Sequence, residues 1–75
     1  MKFSTRRPGP LHVAIFDLSG RRVRTLMDDP QSPAGLHALP LDDRGENGAR
    51  LDSGIYFYRI RSADGREQGR FLIMN

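Results

Sequence analysis

The side chains that could do chemistry are few, and they are scattered along the chain. His12 and His37 lie far apart in the sequence, and no third ligand stands at a spacing that zinc sites use. A surface or half-buried role is therefore favoured over metal binding. None of four serines has a histidine partner or a Gly-x-Ser-x-Gly context: Ser19, Ser32, Ser53 and Ser62. No catalytic residue and no metal ligand is predicted.

One loop is rich in oxygen ligands. It carries Asp42, Asp43, Glu46, Asn47 and Asp52. Such loops can hold calcium, but the spacing here does not match an EF-hand loop, and Arg44 and Arg50 stand among the acids. Turn formation at Asn47-Gly48 and local ion pairing are therefore favoured over a calcium site.

The glycines also lack a pattern for cofactor binding. No Gly-rich stretch precedes a helical segment, as phosphate-binding loops require. The short chain leaves no room for the substrate cleft that a pair of glycosidase carboxylates needs. The sequence predicts that the protein is not an enzyme and that it uses no cofactor.

Aromatic and basic residues are concentrated near the C-terminal end. Tyr56, Phe57 and Tyr58 could stack on sugars or bases, but the same alternation is typical of a buried strand, which is favoured. Arg59 and Arg61, with Arg21, Arg22 and Arg24, could form a basic stripe, or simply a charged face that discourages edge pairing. The residues predicted to bind a partner are Arg59, Arg61 and Arg70.

The composition indicates one small domain, spanning residues 1–75. A chain of this size has a thin core, which a neighbouring domain can complete. It has no cysteine, and its net charge is +3, with the acids interleaved among the arginines. A mixed, solvated surface is therefore favoured over a nucleic-acid footprint. No apolar run is long enough for a membrane helix, so no membrane insertion is expected.

The N-terminal segment has no apolar stretch of the kind that signal peptides contain. Either the protein is cytoplasmic, or it is a piece of a longer chain whose export signal lies elsewhere. Whether Met1 is a native start is left open.

Turn residues recur every 8–12 positions or so, which is typical of an all-β sandwich or barrel. Strands are expected over residues 11–16, 21–27, 36–41, 55–61 and 66–74, with a further short edge strand over residues 2–6. Loops are expected over residues 28–35 and 42–54. Pro40 lacks an N–H donor, so it must lie at an edge or near a strand end.

Two turns predict strand registers. A type I turn at 17–20, with Gly20 left-handed, sets Asp17 opposite Arg21 and Ile15 opposite Val23. A two-residue turn at Asp64-Gly65 sets Ala63 opposite Arg66.

Counted outward from the second turn, Tyr58 faces Phe71 and Tyr56 faces Ile73. The same register places Arg59 opposite Arg70, a like-charge pair that costs a little stability. The predicted core comprises Val13, Ile15, Val23, Leu41, Tyr56, Tyr58, Ile60, Phe71 and Ile73.

Two stretches of the chain carry a family resemblance. Residues 13–26 read VAIFDLSGRRVRTL, and residues 51–60 read LDSGIYFYRI after SPAGLH at 32–37. They resemble the "YDxxGRxVxxL" hairpin and the "LPAGxHxxxWDGxDxxGxxVxSGxYxYRL" segment of bacterial immunoglobulin-like modules. These are the Ig-like domain of the flagellar hook-capping protein and the related type IX secretion C-terminal sorting domains. The similarity runs from about Lys2 to Met74.

This resemblance implies a fold, a role and a location. The fold would be a small immunoglobulin-like, fibronectin type III-like antiparallel β-sandwich of about six to seven strands. The role would be that of a non-catalytic C-terminal module of an exported bacterial protein, acting in secretion sorting or surface attachment. The alternatives are a structural assembly module of the hook-capping type or a carbohydrate-binding accessory domain.

The implied partners are domains of the parent protein or the secretion and assembly machinery, in the periplasm, at the cell surface or outside the cell. The chain departs from the family at several places, one of them Gly45, where the family often has aspartate. Leu41 stands where the family usually has tryptophan, and the last strand carries Arg70 where the sorting branch commonly has lysines.

Overall fold

The computed structural model describes residues 1–74, which form six strands. They are β1 (Lys2–Thr5), β2 (Gly9–Phe16), β3 (Arg22–Ser32), β4 (Gly35–Ala38), β5 (Gly54–Ser62) and β6 (Gly65–Ile73). No helix that could cross a membrane occurs among these residues.

The strands form two antiparallel sheets. One pairs β1 with β4, and the other has the order β3-β2-β5-β6. The predicted fold class, a small all-β antiparallel sandwich, is confirmed. The short N-terminal edge strand is also confirmed, because β1 pairs with β4 from Lys2 opposite Ala38 to Thr5 opposite Gly35.

The core lies on one face of the four-stranded sheet, here called the inner face, and has two clusters. The first contains Leu11, Val13, Leu39 and Ile60, with Met1 and Phe3 packed against it. The second contains Ile15, Tyr56 and Ile73, with Val23, Leu51 and Phe71 packed against it. Leu26 and Tyr58 contact both clusters. The two-stranded sheet therefore covers one end of the inner face, and Leu51 of the long loop contributes at the other.

Eight of the nine predicted core residues lie in these clusters, and Leu41 does not. Leu41 is 40% exposed, whereas Leu39 is buried. The reason is a tertiary contact, since the Leu39 N–H donates to the Met1 carbonyl and the Met1 amine donates to the Leu39 carbonyl, both at 2.8 Å. Leu39 is thereby held beside β1, and the chain turns outward at Pro40.

The turn between β2 and β3 has the predicted form near its tip. Gly20 has φ +89°, and the Asp17 N–H donates to the Arg21 carbonyl at 2.9 Å. The predicted pairing of Ile15 with Val23 is wrong, because Ile15 pairs with Arg24 and Phe16 with Arg22. Val23 is an extra residue in a β-bulge, and bulges cannot be read from a period-two pattern.

The strand β3 is longer than predicted, and β4 is shorter. Residues 28–32 continue β3 instead of forming a loop. Along its length, β3 has two further register shifts against β2. Pro30 is tolerated there because β3 lies at the edge of its sheet, where one side of the strand needs no donor. Pro40 falls beyond the end of β4.

The register of β5 and β6 differs from the predicted one by two residues. Tyr58 pairs with Gly69, and Tyr56 pairs with Phe71. The residues between the paired Ser62 and Gly65 are therefore Ala63 and Asp64. A shift of two keeps every side chain on its predicted face.

The observed register moves the like-charge pair from Arg59 and Arg70 to Arg61 and Arg66, which lie directly opposite each other. Arg59 now lies opposite Gln68 instead of Arg70. The ring of Tyr58 occupies the space over Gly69, where an added Cβ would lie 2.5 Å from the tyrosine oxygen. A side chain at position 69 would therefore displace the ring.

We expect Gly69→Ala to lower the free energy of unfolding by about 1–3 kcal/mol, because the added methyl overpacks against Tyr58. In a Tyr58→Ala background, the same change should be neutral or slightly stabilising, since alanine is better than glycine in a strand. Urea denaturation of the four variants measures this coupling. Equal effects in both backgrounds would show that the Tyr58 ring does not constrain position 69.

Tyr56 is buried, and its hydroxyl donates to the Asp52 carbonyl at 2.8 Å. We expect Tyr56→Phe to cost about 1 kcal/mol through loss of this bond. Tyr56→Ala should cost about 3–5 kcal/mol through loss of the ring. Denaturant unfolding measures both, and a cost well under 1 kcal/mol for the alanine variant would contradict the burial of this ring.

Candidate functional site

The candidate site is the face of the four-stranded sheet opposite the core, which we call the outer face. Side chains alternate between the two faces along each strand. The outer-face residues of the three strands that form the site are His12, Ala14 and Phe16 from β2, Ile55, Phe57, Arg59 and Arg61 from β5, and Arg66, Gln68, Arg70 and Leu72 from β6. They form an apolar patch and a basic band.

The apolar patch consists of Ile55, Phe57 and Leu72. Ile55 lies directly opposite Leu72 in the register, and Phe57 follows on the same face of β5. The three are exposed by 43%, 36% and 60%. Directly opposite residues on one face have Cβ atoms about 5 Å apart, so these side chains are neighbours.

A shallow groove borders this patch. It has a volume of about 310 Å³ and runs between the β2–β3 turn and β5. Phe16, Leu18 and Phe57 provide its apolar lining, and Arg59 and Gln68 provide polar groups. The groove extends the apolar surface from β5 toward the turn.

The basic band consists of Arg59, Arg61, Arg66 and Arg70. Arg61 lies opposite Arg66, and Arg70 lies opposite Phe57, diagonal to Arg59. The three arginines predicted to bind a partner therefore share one face. Arg66 was missed, because its place beside Arg61 depends on a register that the sequence did not predict correctly.

The other arginines of the proposed stripe are engaged elsewhere or lie apart. Arg24 forms an ion pair with Asp42, and the Arg21 Nε lies 3.3 Å from Asp17. Arg22 lies opposite Phe16, at the far edge strand. The five arginines of the predicted stripe therefore do not form one continuous surface, and the basic surface is the band on β5 and β6.

Arg59 is fixed at the centre of the outer face. Its guanidinium carbon lies 4.7 Å from the centroid of the Phe16 ring, a cation–π contact. Ala14, opposite Arg59 in the register, is fully buried although it lies on the outer face. The Arg59 Nε is buried and has no hydrogen-bond partner among residues 1–74. Arg59 thus covers the sheet and presents a partly desolvated charge.

The two histidines lie in different sheets. His37 stacks on Phe3 with ring centroids 5.1 Å apart, and its Nε2 lies 3.1 Å from the Thr5 hydroxyl. His12 lies on the outer face between Asp28 and Arg61. Within residues 1–74, no group of three or more histidine, cysteine or acidic side chains is placed to hold a metal ion.

The acidic loop folds onto the edge of β3. The Glu46 N–H donates to the Val23 carbonyl at 3.0 Å, and a Glu46 carboxylate oxygen accepts from the Thr25 N–H. Asp43 forms an ion pair with Arg50 at 3.2 Å. The interpretation as turn chemistry and local ion pairing is confirmed.

Asp42 has a similar local role. It accepts from the Arg44 N–H at 3.0 Å and pairs with Arg24. The Arg44 N–H and the Arg24 charge lower the pKa of Asp42 despite some desolvation.

The two tyrosines belong to the core rather than to the surface. Tyr56 is buried, and Tyr58 is half-buried between the two clusters. Tyr56 and Phe71 lie opposite each other, with ring centroids 6.1 Å apart. The interpretation of Tyr56 and Tyr58 as core residues, in preference to a stacking platform, is confirmed.

No family model matches the chain, and searches of curated proteins and of solved structures found no match. The resemblance to hook-capping and sorting modules stays a prediction based on the motifs.

In the turn that borders the groove, Asp17 accepts three hydrogen bonds through one carboxylate oxygen. Hydrogen bonds from the Ser19 hydroxyl and from the backbone N–H groups of Arg21 and Ser19 lower the pKa of Asp17, with help from the Arg21 charge. A lowered folded-state pKa adds stability above the ordinary value of 3.8, and this stability is lost as the pH falls through the folded-state pKa.

We therefore expect Asp17→Asn to destabilise the protein at neutral pH and to have progressively less effect as the pH falls below 3.8. Urea denaturation across this range measures the difference, with Asp28→Asn as a control on an exposed acid of β3. A penalty for Asp17→Asn that does not change with pH would contradict this role of the charge.

Proposed function

We propose that the chain is a non-catalytic immunoglobulin-like module of an exported bacterial protein, which attaches to a protein partner through its outer face. The partner is another domain of the parent protein or a component of the secretion or surface-assembly machinery. The observation that carries the proposal is the exposed patch of Ile55, Phe57 and Leu72 beside four arginines.

The apolar patch does not contribute to the hydrophobic core. Its three side chains lie on the face opposite the core, so they add nothing to the two hydrophobic clusters. Burying apolar surface contributes about 25 cal/mol per Å², and a partner that covers the patch would gain this term. Contiguous exposed apolar surface on a small protein commonly marks an interaction site.

The surroundings of the patch also suit a protein partner. Interface centres are enriched in aromatic residues and arginine, and lysine is depleted there. The outer face has this composition, with Phe57 and Arg59 at its centre and no lysine. Arg59 is already placed by Phe16, so it loses little side-chain freedom on binding.

The motif resemblance supports the biological setting. The residues that carry it include the β2–β3 hairpin and strand β5, which also build the groove and part of the outer face. Modules of the resembled family act in sorting and in assembly. The proposed role in an exported protein is therefore inferred from the resemblance, and the proposed binding surface is inferred from the structure.

A fusion tests this function. A signal peptide and a reporter are placed upstream of residues 1–75 in a host with type IX secretion. We expect the reporter to reach the cell surface or the medium. Leu72→Ser should reduce this export about tenfold, because it removes the most exposed apolar side chain of the patch from the interface.

Leu36→Ser is the matched control. Leu36 is exposed by 76%, but it lies on β4 in the two-stranded sheet. We expect the fusion with Leu36→Ser to be exported as well as the fusion with the unaltered chain. Equal export of the Leu72 and Leu36 variants would overturn the proposed use of the outer face.

Retention of a folded, unaltered fusion in the periplasm would overturn sorting in this host. In that case, self-association of the isolated domain that is lost in Leu72→Ser would support a structural assembly role.

A further inference from the structure

The two edges of the four-stranded sheet differ in how they are closed. On the β3 side, the strand has three register shifts and a proline, and the loop at 42–51 lies against it through Glu46 and Asp42. Bulges, proline and covering loops are the devices by which proteins prevent edge strands from pairing. The β3 edge is thus closed by its own chain.

Within residues 1–74, the β6 edge has no bulge, proline or covering loop, and its protection consists of the charged side chains of Arg66, Glu67 and Arg70. Among the described residues, β6 pairs only with β5, through nine consecutive positions without a register shift and without proline. In an antiparallel pair, alternate residues direct their N–H and C=O groups away from the partner strand. The free side of β6 therefore presents a regular row of backbone donors and acceptors.

The side chains of β6 determine which strand could pair there. Arg66, Arg70 and Leu72 lie on the outer face. Arg61 of β5 lies opposite Arg66 on the same face. An acid placed opposite Arg66 or Arg70 would be attracted, and it would relieve the repulsion between Arg66 and Arg61. An apolar residue opposite Leu72 would extend the patch.

A second copy of this chain suits the edge poorly. Two antiparallel β6 strands related by a two-fold axis keep their outer faces on the same side of the sheet. Arg66 and Arg70 of both copies would then crowd one strip of that face, next to Arg61. Like charges at such distances oppose pairing, whereas an acidic strand is complementary.

We propose that β6 binds an extended, acidic segment of a partner protein, which adds a fifth strand to the sheet with its carboxylates opposite Arg66 and Arg70. The backbone supplies the affinity of such strand addition, and alternate side chains supply its specificity. The proposal rests on the proposed function, because only a protein that binds this module can supply the strand.

The probe is a short acetylated peptide of sequence Val-Thr-Glu-Val-Gln-Lys-Glu-Thr. In an antiparallel register, its two glutamates lie opposite Arg70 and Arg66, and its first valine lies opposite Leu72. One control peptide has lysine in place of both glutamates. Another keeps the glutamates but has N-methyl groups on alternate amides, which removes the hydrogen bonds of one edge.

Two readouts are used on the full chain, namely affinity by titration and amide hydrogen exchange of β6 by NMR. We expect the acidic peptide to bind and to slow the exchange of alternate amides in residues 66–72. Neither control peptide should do so. Arg66→Glu and Arg70→Glu should each weaken binding about tenfold, with a loss that shrinks at high salt.

Arg22→Glu is the matched control, because it makes the same change in net charge at the far edge of the sheet. It should leave the affinity within about twofold, since screening limits the reach of an exposed charge to about 10 Å. Unfolded variants are recognised by the loss of amide dispersion in the same spectra. A further charge reversal, Arg61→Glu, tests whether the β5 part of the basic band also contributes to binding.

Three outcomes would overturn the proposal. The first is binding without slowed exchange in β6, which would mean that charge alone attracts the peptide to the face. The second is equal binding of the N-methylated peptide. The third is slowed β6 exchange without peptide in a dimer, which would assign the edge to a second copy.

The two proposals can fail separately. If Leu72→Ser blocks export while β6 exchange never responds to the peptide, the outer face is used and the edge is not. If export is unaffected by Leu72→Ser, the proposed function fails whatever the peptide does.

Discussion

The contact between Tyr58 and Gly69 sets the arrangement of the surface that this protein presents. A tyrosine ring needs room on the inner face, and a glycine directly opposite provides it. This pairing fixes the register of β5 with β6. The register in turn places Ile55 beside Leu72 on the outer face and Arg61 beside Arg66. An inner-face packing requirement thus decides which outer-face residues are neighbours.

A thin core accounts for the rest of the architecture. The four-stranded sheet has one face to bury, and two short strands with one loop must cover it. Leu39 and Phe3 cover one cluster, and Leu51 helps to cover the other. The loop that supplies Leu51 also closes the β3 edge. With the core on one face and a closed edge on one side, the outer face and the β6 edge stay open.

The fold class could be predicted because alternation and turn residues are local signals. In strand β2, apolar residues recur with a period of two on the buried inner face, namely Leu11, Val13 and Ile15. The glycine at position 20 adopts the left-handed conformation that its turn requires. The faces of Tyr56 and Tyr58 were also predicted, since an error of two residues in register leaves faces unchanged. The bulges in β3 were not, because they depend on how that strand fits β2 and the acidic loop.

The candidate site was predicted in part for the same reasons. Alternation alone places Arg59 and Arg61 on one face, and the register error of two residues leaves the patch on that face as well. Only the direct pairing of Ile55 with Leu72 and of Arg61 with Arg66 needs the correct register. Leu41 was misplaced in the core by analogy with the family's tryptophan. The chain instead buries Leu39, whose backbone pairs with Met1. Tertiary contacts of this kind leave no periodic trace in a sequence.

The unequal lengths of the ladders have a mechanical consequence. The first strand is joined to its sheet at four paired positions, whereas the last strand is joined at nine. Tension applied between the two ends of the chain would therefore reach a short ladder at one end and a long one at the other. We expect the two-stranded sheet to separate first, which would uncover the first core cluster.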